Sequence, residues 1–406
     1  MITRGFWVWL HRWVGLTMTG FLILVGLTGS LLAFNAELER LSAPQLFPGP
    51  HAGTALDPAT LARRADALVP QARARTVYLG DEGSAIIGMD ARPGEAPLDF
   101  NQLFLDPITG EELGRRRVGG FPNGLNNLMP FIYRLHYNLT IGLIGRWILG
   151  IVALVWTLDC FVGFYLTLPH FGGSDRRGFF ARWKTAWLVK LRSSAYRVNF
   201  DLHRAFGLWL WPMLLMFAWS SVSFNLPEVY TPAMELASDY QRPDVTQLPA
   251  PKPPENRKMM DWEEAWATAR KVLDDQTRMH GLTVERPIAL YKLQTRGLYE
   301  YRVRSSRDVS DYNGSTSIFF DAFSGELREL RLPTGQHAGN TITTWLAALH
   351  MARVFDLPYR IFVCALGLVV VTLSGTGVYI WWQKRRARKL AAARARVFHE
   401  QRNAAA

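Results

Sequence analysis

The sequence has almost no cysteine and none of the common nucleotide-binding signatures. Its two cysteines, Cys160 and Cys364, both lie inside long apolar runs, so the polar segments contain no disulfide framework. A G-x-G-x-x-G fingerprint, a P-loop and a zinc-ligand spacing are also missing. We therefore expect no nicotinamide or flavin domain in this chain, and any electrons that it uses must come from another molecule.

The net charge of +12 is not distributed as in a nucleic-acid-binding protein. Lysine and arginine are concentrated in residues 169–200 and in the tail after residue 382, whereas residues 35–134 and 226–348 carry slightly more acid than base. This clustering of basic residues is typical of the cytoplasmic loops of a membrane protein. We therefore predict that nucleic acid is not a partner.

Four apolar runs are long enough to cross a membrane: residues 13–34, 147–168, 205–226 and 361–382. Each has about 22 residues, close to the ~20 that a spanning helix needs. The first run is too long for a signal-peptide core, and no small-x-small cleavage site follows it, so we interpret it as a retained anchor.

Basic loops stay on the cytoplasmic side of a bacterial inner membrane. Both termini are therefore predicted inside, and the two long segments are predicted in the periplasm. The predicted order is a first span (1–34), a periplasmic domain (35–134), a second span (135–168), a basic cytoplasmic loop (169–202), a third span (203–226), a second periplasmic domain (227–348), a fourth span (349–382) and a basic cytoplasmic tail (383–406).

The second half of the chain repeats the first. The hexapeptide DPITGE at 106–111 matches DAFSGE at 321–326, and Leu-His-Arg at 10–12 matches Leu-His-Arg at 202–204. His136 and Arg146 match His350 and Arg360 at an offset of 214. Two parallel repeats of span, domain and span predict a four-helix transmembrane bundle. Each external segment pairs a helical stretch (58–68 or 262–273) with a strand-turn-strand motif, which predicts two small α+β domains.

Four histidines stand at the ends of the four apolar runs. His11 and His203 open the first and third runs, and His136 and His350 precede the second and fourth. A single histidine in such a place is usually an interfacial anchor. Four that are paired by an internal repeat favour axial ligation of iron in two haem b groups, with His11 and His203 at the inner haem and His136 and His350 at the outer one.

Arginines accompany the histidines. Arg12 and Arg204 follow the inner pair directly, and Arg146 and Arg360 follow the outer pair by ten residues. Guanidinium binds carboxylate in a fork, so each is a candidate partner of a haem propionate. Arg12 and Arg204 are explained about as well by the preference of basic residues for the cytoplasmic side.

Two features of the spans remain open. On a continuous helix His136 would stand ~15 Å beyond Arg146 along the axis, so we expect a break near Gly142, Gly145 and Pro358 that returns each outer histidine to the bundle. Asp159 lies inside the second span without a repeat mate, and a proton relay, a quinol contact and a simple hydrogen bond to a neighbour are all compatible with it.

These features together resemble the PepSY-associated transmembrane family. The matching motifs are Leu-His-Arg-x-x-Gly at the starts of spans one and three, Asp-x-x-[Thr/Ser]-Gly-Glu in both external segments, and Gly-Thr-Gly-Val-Tyr-Ile-Trp-Trp at 375–382 ahead of a basic triplet. The external segments are then PepSY-like domains. Within the family, the chain is most similar to FoxB-type ferrisiderophore reductases, which are haem-containing inner-membrane proteins.

The resemblance implies an enzyme that reduces ferric siderophores in the periplasm and releases Fe(II). Hydroxamate chelates are the expected substrates, and a quinol or a cytoplasmic reductase is the expected electron donor. Tyr133, Arg134, Thr344 and Trp345 lie near the outer histidines in sequence and are candidate substrate contacts. Two alternatives remain: a PepSY-type regulatory or binding protein without redox activity, and a transporter of the siderophore or of a metal.

The predicted topology is testable with fusions. Alkaline phosphatase fused after residue 240 should be active, because that point is predicted to lie in the oxidising periplasm, whereas a fusion at the C-terminus should be inactive. The reverse pattern would overturn both the topology and the direction of electron flow that follows from it.

Overall fold

A computed structural model of the chain describes residues 3–49, 52–80, 83–119, 124–169, 178–242, 245, 248, 251 and 258–404. Two compact units are present. The first comprises Met1–Ser30, His136–Pro227 and Ile361–Ala406, and the second comprises Leu31–Leu135 and Glu228–Arg360. Residues 170–177 of the predicted cytoplasmic loop lie outside the described residues.

Along the chain, two groups of four strands are each preceded and followed by helices. The α-helices, in chain order, are α1 (Arg4–Leu32), α2 (Asn35–Ser42), α3 (Pro58–Leu68), α4 (Leu128–Asn138), α5 (Gly142–Thr167), α6 (Phe179–Trp183), α7 (Ala195–Trp209), α8 (Trp211–Asn225), α9 (Pro227–Ala237), α10 (Trp262–His280), α11 (Ala338–His350) and α12 (Asp356–Ala404). The strands are β1 (Ala72–Leu79), β2 (Ala85–Ala91), β3 (Gln102–Leu105), β4 (Glu112–Arg116), β5 (Val284–Leu293), β6 (Leu298–Ser305), β7 (Thr316–Asp321) and β8 (Leu327–Arg331).

Three of the described helices, α1, α5 and α12, are long and apolar enough to cross a membrane. They expose large apolar side chains such as Leu27, Ile151 and Leu158, which is typical of a surface that contacts lipid. The third predicted span is not one continuous helix. It bends by 69° between α7 and α8, where Leu210 interrupts the helix and Pro212 stands in the first turn of α8. The described residues thus contain three such helices, or four if the bent pair is one span.

The apolar helices of the first unit share one core and approach one another closely. Leu22 of α1, Cys160 of α5, Leu214 of α8 and Leu366 of α12 belong to one buried apolar cluster. A Cβ on Gly26 would lie 2.8 Å from the carbonyl oxygen of Gly367. Small residues let helix backbones come together in this way, and van der Waals packing then stabilises the contact.

The expected breaks ahead of the second and fourth spans are confirmed. α4 ends at Asn138, and Leu139 and Thr140 adopt left-handed φ values of 54° and 62° before α5 begins. The Asn138 carboxamide accepts a hydrogen bond from the Thr140 N–H at 3.0 Å and stabilises the turn. In the second half, Ala352 and Phe355 are left-handed between α11 and α12. Both outer histidines are therefore carried by short helices that are separate from the spans.

The second unit contains a single eight-stranded antiparallel sheet with the strand order β4-β3-β2-β1-β5-β6-β7-β8. The prediction of two separate small domains was wrong in this respect. Each half contributes four strands and one helix, but β1 and β5 pair through Thr76–Tyr291, Val77–Leu290 and Tyr78–Ala289. Pairing removes two edge strands whose backbone groups would otherwise be unsatisfied. The predicted helices are confirmed as α3 and α10, and both pack on the apolar core of this sheet.

The two predicted strand-turn-strand motifs are also confirmed. β3 pairs with β4, and β7 pairs with β8. In each turn the aspartate, Asp106 or Asp321, accepts hydrogen bonds of 2.7–3.0 Å from the backbone N–H groups two and three residues later. Gly110 and Gly325 follow with positive φ values of 73° and 80°, which explains why this position requires glycine.

The close contact between α1 and α12 gives a stability prediction. In Gly367→Ala the new methyl group would lie 2.6 Å from the carbonyl oxygen of Gly26, so the helices must separate, and overpacking of this kind costs about 1–3 kcal/mol. Gly20→Ala is the matched control, because its Cβ meets nothing within 4 Å. Thermal unfolding in one detergent should show a lower midpoint for Gly367→Ala than for Gly20→Ala, and equal midpoints would contradict the packing argument.

Candidate functional site

The structure brings together the two histidines that the repeat pairs at the predicted inner end of the spans. His11 lies on α1 and His203 on α7, and the centres of their rings are 6.1 Å apart with an angle of 65° between the ring planes. Both side chains are half-buried. Two helices that are widely separated in sequence thus bring two imidazoles close together in the first unit.

The Nδ1 atom of each inner histidine is occupied by a partner from the second span of its own half. His11 Nδ1 lies 2.9 Å from Asp159 Oδ1, and His203 Nδ1 lies 3.1 Å from the carbonyl oxygen of Leu373 and 3.1 Å from Thr376 Oγ1. A carboxylate and a carbonyl can only accept, so in the neutral ring the proton is on Nδ1. The lone pair of Nε2 is then available to a metal ion.

Glycines surround the inner histidines. A Cβ on Gly163 or on Gly377 would lie 3.5 Å from Cε1 of the neighbouring histidine ring, with the same distance in both halves. Gly15 and Gly207 follow the two histidines by four residues, which places them on the same helix face. A Cβ on either would meet nothing within 4 Å. The helix surface beside each ring is therefore flat and open.

Arg12 and Arg204 each have a buried Nε atom without a hydrogen-bond partner in the described part of the chain. Arg204 also donates through Nη2 to Asp201 at 2.9 Å and to the carbonyl oxygen of Thr185 at 2.6 Å. The guanidinium of Arg12 lies 5.6 Å from the centre of the Trp13 ring. Buried donors normally find acceptors, so these two atoms indicate room for an anionic group.

His136, the first member of the predicted outer pair, is held in the same tautomer as the inner histidines. Its Nδ1 lies 2.9 Å from Thr28 Oγ1, and that hydroxyl donates its own proton to the carbonyl oxygen of Leu24 at 2.7 Å. Thr28 is therefore placed to accept from Nδ1–H. A Cβ on Gly29 would lie only 3.1 Å from Cε1 of His136, so glycine leaves the space that this ring occupies.

The other predicted ligands and propionate partners are less closely defined. His350 ends α11 and belongs to the second unit, so its pairing with His136 stays a prediction of the repeat. Arg146 is half-buried in the first turns of α5. Arg360 donates to the carbonyl oxygen of Ala33 at 2.9 Å and pairs with Glu37, and its hydrogen bond holds the pKa of Glu37 below the usual value.

The four predicted substrate contacts lie on α4 and α11 of the second unit. Tyr133 and Trp345 are 51% and 38% exposed, so both are accessible to a large ligand. Thr344 donates its hydroxyl to the carbonyl oxygen of Pro333 at 2.7 Å, which ties the helix to the chain that precedes it. Arg134 lies beside Tyr133 on α4. Their role in substrate binding stays a prediction.

Sequence reasoning left the role of Asp159 open and missed Thr28 and Thr376. The repeat itself concealed Asp159, because the corresponding position in the second half is Leu373. In the structure both positions serve the same function, since the Leu373 backbone carbonyl replaces the Asp159 carboxylate. Thr28 belongs to no recognisable sequence motif. Its partner His136 comes within hydrogen-bond distance only because the chain breaks before α5.

The inner pair offers two imidazole nitrogens as ligands. Among the described residues, no group of three His, Cys, Asp or Glu side chains is arranged to hold a metal ion. Glycines without contacts and the side chains of Arg12 and Arg204 follow these two histidines along their helices.

Comparison with curated proteins found no match. The sequence profile of the family described as PepSY-associated TM region matches residues 8–384, which include all four histidines of the candidate site and both strand-turn-strand motifs. This match covers nearly the whole length of the chain. The protein therefore belongs to the PepSY-associated TM region family.

Proposed function

We propose that this protein is an inner-membrane ferric-siderophore reductase that uses two b-type haems. The observation that carries the proposal is the inner histidine pair, in which the ring centres of His11 and His203 lie 6.1 Å apart and both Nδ1 atoms are hydrogen-bonded. His11 and His203 would hold the iron of one haem through their Nε2 atoms, because in this tautomer the Nε2 lone pairs are free to bind a metal. Bound haem would supply a one-electron carrier at each end of the apolar helices.

The spacing of the inner pair fits such a haem. Bonds from a metal to an imidazole nitrogen are about 2.0 Å long. The ring centres of His11 and His203 are 6.1 Å apart, a separation compatible with one shared metal ion. Gly15 and Gly207 leave flat surfaces beside the rings, and the buried Nε atoms of Arg12 and Arg204 are suitable donors for propionates.

The repeat assigns the remaining residues. His136 and His350 would hold the outer haem, with Arg146 and Arg360 as candidate propionate partners, and the spans would form a four-helix bundle of two parallel repeats. The apolar cluster shared by α1, α5, α8 and α12 supports that bundle. Both termini would be cytoplasmic, and the sheet unit would be periplasmic, in agreement with the distribution of basic residues.

Reduction suits the release of iron from a siderophore. Hydroxamates offer hard oxygen ligands that hold Fe(III) far more strongly than Fe(II), so transfer of one electron weakens the chelate. The docked chelate would contact the exposed side chains of Tyr133 and Trp345, with Arg134 and Thr344 nearby. The electron donor would be a quinol or a cytoplasmic reductase, because the chain carries no nucleotide-binding motif.

The first test is the haem content of the purified protein. Wild type should carry two low-spin haems per chain, and His203→Ala should lose one of them, because it removes one axial ligand of the inner site. Pyridine haemochrome assay should therefore give half the haem for this variant. His280→Ala, at the exposed end of α10, is the control and should keep both. A colourless wild type would reject the proposal in favour of the regulatory or transport alternatives.

The second test addresses electron exit. His350→Ala should abolish reduction of a ferric hydroxamate but leave the inner haem reducible by dithionite, since a hydrocarbon core ~30 Å thick keeps an external chelate away from the inner site. Prereduced protein, freed of excess dithionite, is mixed anaerobically with the chelate in a stopped-flow instrument. Rapid reoxidation in wild type and in His280→Ala, and none in His350→Ala, is expected. Equal rates in all three would exclude the outer site as the exit.

A further inference from the structure

The two halves of the inner site differ in the group that supports each histidine. Asp159 is 9% exposed, and its carboxylate lies 2.9 Å from His11 Nδ1. The repeat mate of Asp159 is Leu373, whose backbone carbonyl lies 3.1 Å from His203 Nδ1. The glycines beside the two rings, by contrast, lie at the same 3.5 Å in both halves. One histidine is thus supported by an anionic side chain and the other by a neutral carbonyl dipole.

We propose that Asp159 is a positioning residue that fixes the ring of His11 and lowers the reduction potential of the inner haem. The inference rests on the proposed function and deepens it, because it assigns a role to one side chain of the same site. A lower potential makes the inner haem the stronger electron donor, and so favours transfer from the inner site towards the outer one.

The physical argument has two parts. First, a hydrogen bond from Nδ1–H to a carboxylate raises the basicity of the opposite nitrogen, which becomes a better donor to iron and stabilises Fe(III) over Fe(II). Second, a negative charge in a surrounding of low dielectric constant acts strongly on a nearby metal. A carbonyl dipole such as that of Leu373 raises the basicity of the opposite nitrogen only weakly, and it brings no net charge near the metal. The difference between the two supports is therefore electronic as well as geometric.

A purely structural role for Asp159 is the competing explanation. The hydrogen bond joins α1 to α5 and contributes to the packing of those helices whether or not an iron is bound. Asn at this position keeps the size of the side chain and retains an amide oxygen that accepts from Nδ1–H, but it lacks the charge. A structural role is therefore largely preserved in Asp159→Asn, whereas an effect on the potential is not.

The test is a spectroscopic redox titration of the purified holoprotein, with the inner haem assigned as the one that His203→Ala loses. In Asp159→Asn the ratio of reduced to oxidised inner haem at a fixed potential should rise at least tenfold, which is 59 mV for a one-electron couple. The outer haem should be unchanged. Asp159→Glu retains the charge and should stay within threefold of wild type.

Thr376→Val is the matched control in the other half. It removes the hydroxyl at His203 but leaves the Leu373 carbonyl as acceptor, so the ratio should change less than threefold. An unchanged potential in Asp159→Asn, or loss of the inner haem from both Asp159 variants, would overturn the inference. Loss from the Asn variant alone, with the Glu variant normal, would support it. A wild type without haem would instead reject the proposed function, so the two failures are distinguishable.

Discussion

The hydrogen bond at Nδ1 of His11, His203 and His136 is the interaction on which the candidate site depends. An imidazole on a helix in an apolar surrounding needs an acceptor for its N–H group, and the carbonyls of its own helix are already used in the helical ladder. The acceptor must come from a different helix or a hydroxyl: Asp159 for His11, the Leu373 backbone for His203 and Thr28 for His136. These contacts fix the tautomer and direct the three Nε2 atoms away from their supports.

Glycine makes this arrangement sterically possible. The rings of His11 and His203 lie against Gly163 and Gly377, where a Cβ would be in ordinary van der Waals contact at 3.5 Å, and the tighter case is Gly29, where a Cβ would lie 3.1 Å from the His136 ring. Glycine also permits a close contact where α1 and α12 cross, because Gly26 lies against the backbone of Gly367. Close helix contacts and the positions of the two histidines are therefore linked, because the support of each ring comes from a neighbouring helix.

Much of this organisation could be predicted from the sequence, because local residue patterns and the internal repeat indicate it. The apolar runs predicted α1, α5 and α12, the Asp-x-x-[Thr/Ser]-Gly-Glu motif predicted both hairpins, and the repeat paired His11 with His203. Features without a local signal were not predicted. Pairing of β1 with β5 joins segments more than 200 residues apart. The bend at Leu210 has one local signal, Pro212, but the length and apolar character of the run indicated a continuous span. Asp159 was undecided because its partner lies on another helix.

A tandem repeat gives a bundle two equivalent sides, and the two sides become unequal only where a residue departs from the repeat. Asp159 is such a position, because its carboxylate supports His11 whereas the backbone carbonyl of its repeat mate Leu373 supports His203. A hydroxyl, that of Thr28, supports His136. Duplication thus accounts for the pairing of the histidines, and divergence at a single buried position places a carboxylate beside one histidine of the inner pair and a neutral dipole beside the other.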